Sequence, residues 1–94
     1  MPRFPLEADV EFEWGSEILR ARVTDISQGG MFLRTSDPLW VGASFRARLL
    51  VDDPLSADVV VRRVAPMKGM GVAFLEMSEG TQRQLESLLR KLGG

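Results

Sequence analysis

The sequence predicts a mainly β protein, a six-stranded antiparallel β-barrel with a C-terminal α-helix. Three observations predict it. Short runs that alternate apolar with polar residues recur between positions 7 and 75, separated by glycine, proline and aspartate turns, which is the pattern of consecutive antiparallel strands. Two of those turns set registers in which apolar residues face apolar ones and acids face bases. After Ser78 the apolar period lengthens to that of a helix.

The first element, Met1-Pro2-Arg3-Phe4-Pro5-Leu6, reads as an extended arm, because each proline fixes φ and keeps its predecessor out of the helical region. Glu7 to Trp14 alternates acids with apolar residues, as a half-buried strand does. Gly15-Ser16 follows with glycine at the first central position, the preference of a type II′ hairpin. That turn sets Trp14 against Glu17, Phe12 against Leu19, Val10 against Ala21 and Ala8 against Val23. On the other face Glu11 meets Arg20 and Asp9 meets Arg22, so both arginines read as cross-strand partners of acids. Four acids on alternate positions of one strand do not converge on a point, so the stripe reads as a solvated face rather than a metal site.

The second strand runs into Asp25-Ile26-Ser27-Gln28-Gly29-Gly30, and Met31 to Thr35 leaves as a third. Extended geometry puts Asp25 and Ser27 on one side, and Gly29 and Gly30 admit positive φ or a close backbone approach. Such an acceptor-rich pair beside exposed N–H groups suits the donor edge of a purine such as guanine. The same residues also serve as a hairpin bend that satisfies its own hydrogen bonds. Beyond the connection that carries Trp40, Ser44–Val51 and Leu55–Val64 form a hairpin around Asp52-Asp53-Pro54. A three-residue loop pairs Leu49 with Ala57, Ala47 with Val59, Phe45 with Val61 and Arg48 with Asp58. Trp14 and Trp40 read as core or core-edge residues ahead of stacking platforms. Met70 to Leu75 is the last strand. The helix is predicted over 78–92, capped by Ser78, with Leu85, Leu88, Leu89 and Leu92 on the face that closes the barrel, and Gly93-Gly94 as its stop.

Ninety-four residues, 45% of them hydrophobic, suit a single domain over 1–94: arm 1–6, barrel 7–75, helix 78–92. Cysteine and histidine are both absent, which removes thiolate and imidazole chemistry. No carboxylate pair stands out, so the chain reads as no enzyme, with no catalytic and no metal-binding residues. A net charge of −1 and 7% aromatic content argue against a nucleic-acid partner and leave a small-barrel single-stranded nucleic-acid binder as a remote alternative. No stretch is apolar enough for a leader or a membrane span, so the expectation is a cytoplasmic chain without membrane insertion, monomeric or homodimeric.

The order strand, Asp25-x-Ser27-x-x-Gly30, strand, hairpin, Gly69-x-Gly71 and terminal helix resembles the PilZ family, bacterial modules known as receptors for cyclic di-GMP. The resemblance spans essentially the whole chain. It implies a non-catalytic signalling module that works through a protein partner, with cyclic di-GMP as the candidate ligand and no other cofactor. It also implies ligand contacts at Arg3, Asp25, Ser27, Gly29 and Gly30. The family's N-terminal R-x-x-x-R motif is matched by Arg3 alone, and Glu7 stands where a second basic residue would complete it. Losing one charge-assisted contact costs about 1.5–3 kcal/mol, or roughly tenfold to over a hundredfold in affinity. The expectation is therefore weak or absent nucleotide binding, the alternative being a true receptor that uses Arg3 and the Asp25-x-Ser27-x-x-Gly30 motif. Arg34, Arg46 and Arg62 are candidate stand-ins for the absent arginine, each with a simpler role as a surface charge.

Overall fold

The computed structural model describes residues 2–93. Six strands, β1 (Phe4–Trp14), β2 (Glu17–Ile26), β3 (Gly30–Arg34), β4 (Ser44–Leu50), β5 (Leu55–Ala65) and β6 (Gly69–Phe74), close into an antiparallel barrel, and helix α1 (Glu79–Gly93) follows. Around the barrel the order is β1-β2-β3-β6-β5-β4, with β1 paired to β4 across the closure. The inward residues of the strands, among them Val10, Val23, Leu33, Leu49, Val59 and Met70, make one core and are at most 1% exposed. Closure removes the free strand edges that would otherwise template association.

The first hairpin has the expected register from Ala8↔Val23 to Trp14↔Glu17. Gly15 takes φ +65°, and Ser16 is not in the positive-φ region, as a type II′ turn requires. Arg20 reaches Glu11 at 2.8 Å, and Arg22 reaches Asp9 at 2.9 Å and Glu7 at 3.2 Å. Hydrogen bonds to Asp9 first and Glu7 second hold the Arg22 guanidinium above the usual arginine range.

Two expectations about the strands need correction. Residues 4–6, expected in an arm ahead of the barrel, already belong to β1, where Phe4 pairs with Ile26 and Pro5 with Asp25 before an irregularity ahead of Ala8. Proline is tolerated there because it lies beside a bulge rather than in a regular ladder. The β4–β5 hairpin pairs Leu49 with Leu55, Ala47 with Ala57 and Phe45 with Val59, two residues away from the expected register. Its loop is Val51–Pro54, one residue longer than expected. Asp58 accordingly takes Arg46, at 3.1 Å, instead of Arg48.

Helix α1 begins where Ser78 Oγ accepts the Thr81 N–H at 3.2 Å, the N-cap arrangement. It packs on β1 and β5 with Leu85 buried, at the barrel end that also holds the β2–β3 bend and the β4–β5 loop. Gln84 Nε2 fastens that loop by donating to the carbonyls of Asp53 and Pro54 at 2.9 and 2.7 Å. Gly93, expected with Gly94 to stop a helix ending at residue 92, is instead its last residue and lies against the Phe4 ring, so the helix runs one residue further than expected; Gly94 falls outside the described residues. At the opposite end Trp14 packs on the core, whereas Trp40 stands 62% exposed, edge-on to Trp14 at 5.1 Å.

The β5–β6 turn holds one strained residue. Lys68 N–H donates to Ala65 O at 2.9 Å, and Met67 occupies the position that needs φ > 0, at +66°. Its side chain is 79% exposed, so it gains little burial in return. A β-carbon in this region costs about 1–2 kcal/mol, and glycine gives back about 0.4–1 through its freer unfolded chain. Met67→Gly is therefore expected to raise stability, by up to about 1.5 kcal/mol, read as a higher urea midpoint at unchanged slope. A lower midpoint refutes the strain.

Candidate functional site

The β2–β3 bend is built by its own polar groups. Ser27 N–H donates to Gly30 O at 2.8 Å, and Ser27 Oγ accepts the Gly29 N–H at 3.2 Å and lies 3.4 Å from Gly30 O. Ser27 is 2% exposed, so its hydroxyl belongs first to the turn. Gly29 O accepts the Phe74 N–H at 2.9 Å, which ties the bend to the end of β6. Gly30 carries no positive φ; its requirement is proximity, since a β-carbon there would overlap Val72 O of β6.

Asp25 does not share a face with Ser27. The strand ends at Ile26, so the alternation that would align the two side chains stops one residue short. Asp25 pairs with Arg3 instead: both Nε and Nη2 of the guanidinium lie 2.6 Å from Oδ1, and Thr24 Oγ1 donates to Oδ2 at 3.1 Å. A carboxylate offers about four acceptor directions, so this arrangement orients Asp25 without exhausting it.

Beside the bend lies an open depression of about 270 Å³, with Arg3, Ser27, Gly29 and Gly30 on one side, Arg62 and Arg63 on the other, and Gly71 and Val72 between them. Four of the five expected site residues thus meet in one cleft, and Asp25 joins it only through Arg3. Arg62, one of the three candidate stand-ins, lines the cleft. Arg34 lies toward the opposite end, paired with Gly69 in the sheet, and Arg46 is engaged with Asp58.

Arg63 is the residue that sequence reasoning missed. It lies flat across Gly71 in the neighbouring strand and reaches the Phe32 ring at 5.6 Å, a cation–π distance. A register shift between Val61 and Arg63 turns both arginines outward. The signal was in the sequence: two consecutive arginines cannot occupy opposite faces of a half-buried strand, so Arg62-Arg63 required a bulge. Among the described residues no acid lines this depression, and with Arg3 held by Asp25 from behind, Arg62, Arg63 and the backbone of the bend suit it to an anion with a flat, stackable face.

Comparison with known proteins gives the same fold. The PilZ domain of YcgR from Escherichia coli, solved with c-di-GMP, superposes with a TM-score of 0.83 at 20% identity over 97% of this chain and 88% of that one. The Bacillus subtilis inhibitor of motility, MotI/DgrA, matches with a TM-score of 0.76 at 25% identity over 95% of this chain, which spans only 48% of that protein. The PilZ domain of CeSA from a cellulose-synthesizing bacterium matches over the full length of both chains, with a TM-score of 0.77 at 20% identity. A sequence comparison with curated proteins finds no significant match. The family comparison matches the PilZ domain over residues 1–91, nearly the whole barrel and helix, and with its Asp25-x-Ser27-x-x-Gly30 bend in place the chain belongs to the PilZ domain family.

Proposed function

We propose that this PilZ domain is a non-catalytic regulatory module that binds cyclic di-GMP in the cleft beside the Ser27–Gly30 bend and acts on a protein partner. The observation that carries the reading is the convergence of Arg3, Arg62 and Arg63 on one depression in a chain of net charge −1. The expectation of weak or absent binding rested on a single arm arginine. Two further guanidiniums at the cleft replace the lost charge, and their planar forks match phosphate oxygens. The flat Arg63 guanidinium over Gly71 adds a surface on which a guanine can stack, and Asp25 serves the cleft through Arg3, whose guanidinium it orients. The one hydroxyl lining the cleft among the described residues, that of Ser27, is engaged in its turn, which supports the non-catalytic reading.

A second reading, a protein-binding adaptor that needs no nucleotide, is favoured by one observation. Arg3 and Asp25, both expected to hold ligand, hold each other. Calorimetric titration with cyclic di-GMP separates the two. The receptor reading expects micromolar or tighter binding, weakened about tenfold or more in Arg3→Ala, the loss of one charge-assisted contact at the cleft. No heat from a folded protein at millimolar ligand leaves the adaptor.

A further inference from the structure

A second groove, of about 490 Å³, lies at the helix-bearing end of the barrel between β1, the β4–β5 loop and α1, and the nucleotide reading does not use it. Its size falls in the range of about 300–1,000 Å³ typical of ligand clefts. Leu6, Val51, Leu88 and Leu92 line it and are only partly buried, so the chain leaves apolar surface here that its own core does not cover. The rim is acidic. Glu7 and Asp9 are engaged by Arg22, but Asp52 and Asp53 at the loop tip form no ion pair or side-chain hydrogen bond among the described residues, and Lys91 is the one other cation lining the groove. The loop that carries these two carboxylates is held by the bonds from Gln84 to its backbone, so the rim is fixed before any partner arrives.

We propose that this groove docks a basic segment of a partner protein, one that places a leucine-type side chain on the Leu6–Leu88–Leu92 floor and a lysine or arginine against Asp52 and Asp53. Charge complementarity selects this occupant: an acidic or neutral apolar segment would bury the same floor but leave the two carboxylates desolvated and unpaired. The surface is separate from the arginine cleft, so it does not depend on nucleotide binding.

The test is an amide-resonance titration of the intact chain with a synthetic Lys/Leu peptide, alongside a Glu/Leu peptide of the same length. The expected result is saturable shifts at Val51, Asp53, Gln84, Ser87 and Leu88 with the basic peptide only, and binding weakened about tenfold or more in Asp52→Lys/Asp53→Lys, whose exposed loop position leaves the fold intact. Four results would each overturn the proposal: no shifts at millimolar peptide, shifts centred elsewhere, such as on Trp40 and Val41, equal binding of the acidic peptide, or unchanged affinity in the double variant. Concentration-dependent shifts of the same amides without peptide would assign the groove to a second copy of the chain and overturn it too.

Discussion

Arg62→Ala/Arg63→Ala is expected to weaken cyclic di-GMP binding by about a hundredfold or more while leaving the barrel nearly as stable as before. A charge-assisted hydrogen bond contributes about 1.5–3 kcal/mol, and each 1.4 kcal/mol is tenfold in affinity, so losing two such donors exceeds a hundredfold. The cost to the fold is small, because both side chains are exposed and neither forms an ion pair among the described residues. Arg63 gives up its cation–π contact with Phe32, about 0.5–1 kcal/mol at an exposed site, and its cover over Gly71. Arg63→Lys separates the two parts of the argument: it keeps the charge and loses the planar fork that stacks. Its affinity is expected between those of the parent and Arg63→Ala. If the double variant binds within threefold of the parent, the arginine cleft is not the ligand site.

Arg63 was legible only in hindsight, and the reason is geometric. Where a turn fixes the register and both faces are chemically sorted, as in β1–β2, sequence determines every pair from Ala8↔Val23 to Trp14↔Glu17. A slip of one residue would send Val10 and Phe12 to solvent; a slip of two would still set Glu11 on Arg22 and Glu13 on Arg20, and it is the two-residue Gly15-Ser16 turn that excludes it. The β4–β5 hairpin lacks such a turn. Moving it by two residues keeps Phe45, Ala47 and Leu49 inside and exchanges Arg48 for Arg46 opposite Asp58, so the pattern is nearly indifferent. There the length of the loop decided, and Asp52-Asp53-Pro54 does not specify it.

The site followed the same division. Gly30 and the bend were readable because glycine and Asx/Ser chemistry is local. The facing of Asp25 and Ser27 was not, because alternation holds only within a strand and β2 ends between them at Ile26. The partnership of Arg3 with Asp25 spans 22 positions and depends on β1 beginning at Phe4. Arg62 and Arg63 reach the cleft by a bulge, a feature that breaks the very period used to find strands.

Gly30→Ala and Gly71→Ala are expected to fail in opposite ways, although both glycines belong to the motifs that mark the family. At Gly30 the new methyl would overlap Val72 O and lie 3.1 Å from Ala73 Cα, atoms of a central strand that cannot retreat without breaking the β3–β6 ladder. Overpacking of this kind costs about 1–3 kcal/mol and occasionally more; against rigid backbone we expect about 3 kcal/mol or above. At Gly71 the methyl meets only Arg63, at 3.1 Å from Cγ and 3.2 Å from Nε, and a long exposed side chain can swing away. Stability should change by less than about 1 kcal/mol, since alanine also restricts the unfolded chain. The ligand, however, loses its flat guanidinium. Denaturation and cyclic di-GMP titration of both variants therefore give a crossed result: Gly30→Ala loses the fold first, and Gly71→Ala keeps the fold and loses affinity. A Gly71→Ala protein as unstable as Gly30→Ala would mean that Arg63 is pinned in place by the barrel and not free to serve a ligand. A Gly30→Ala protein of undiminished stability would make that glycine a ligand-approach residue and remove its structural role.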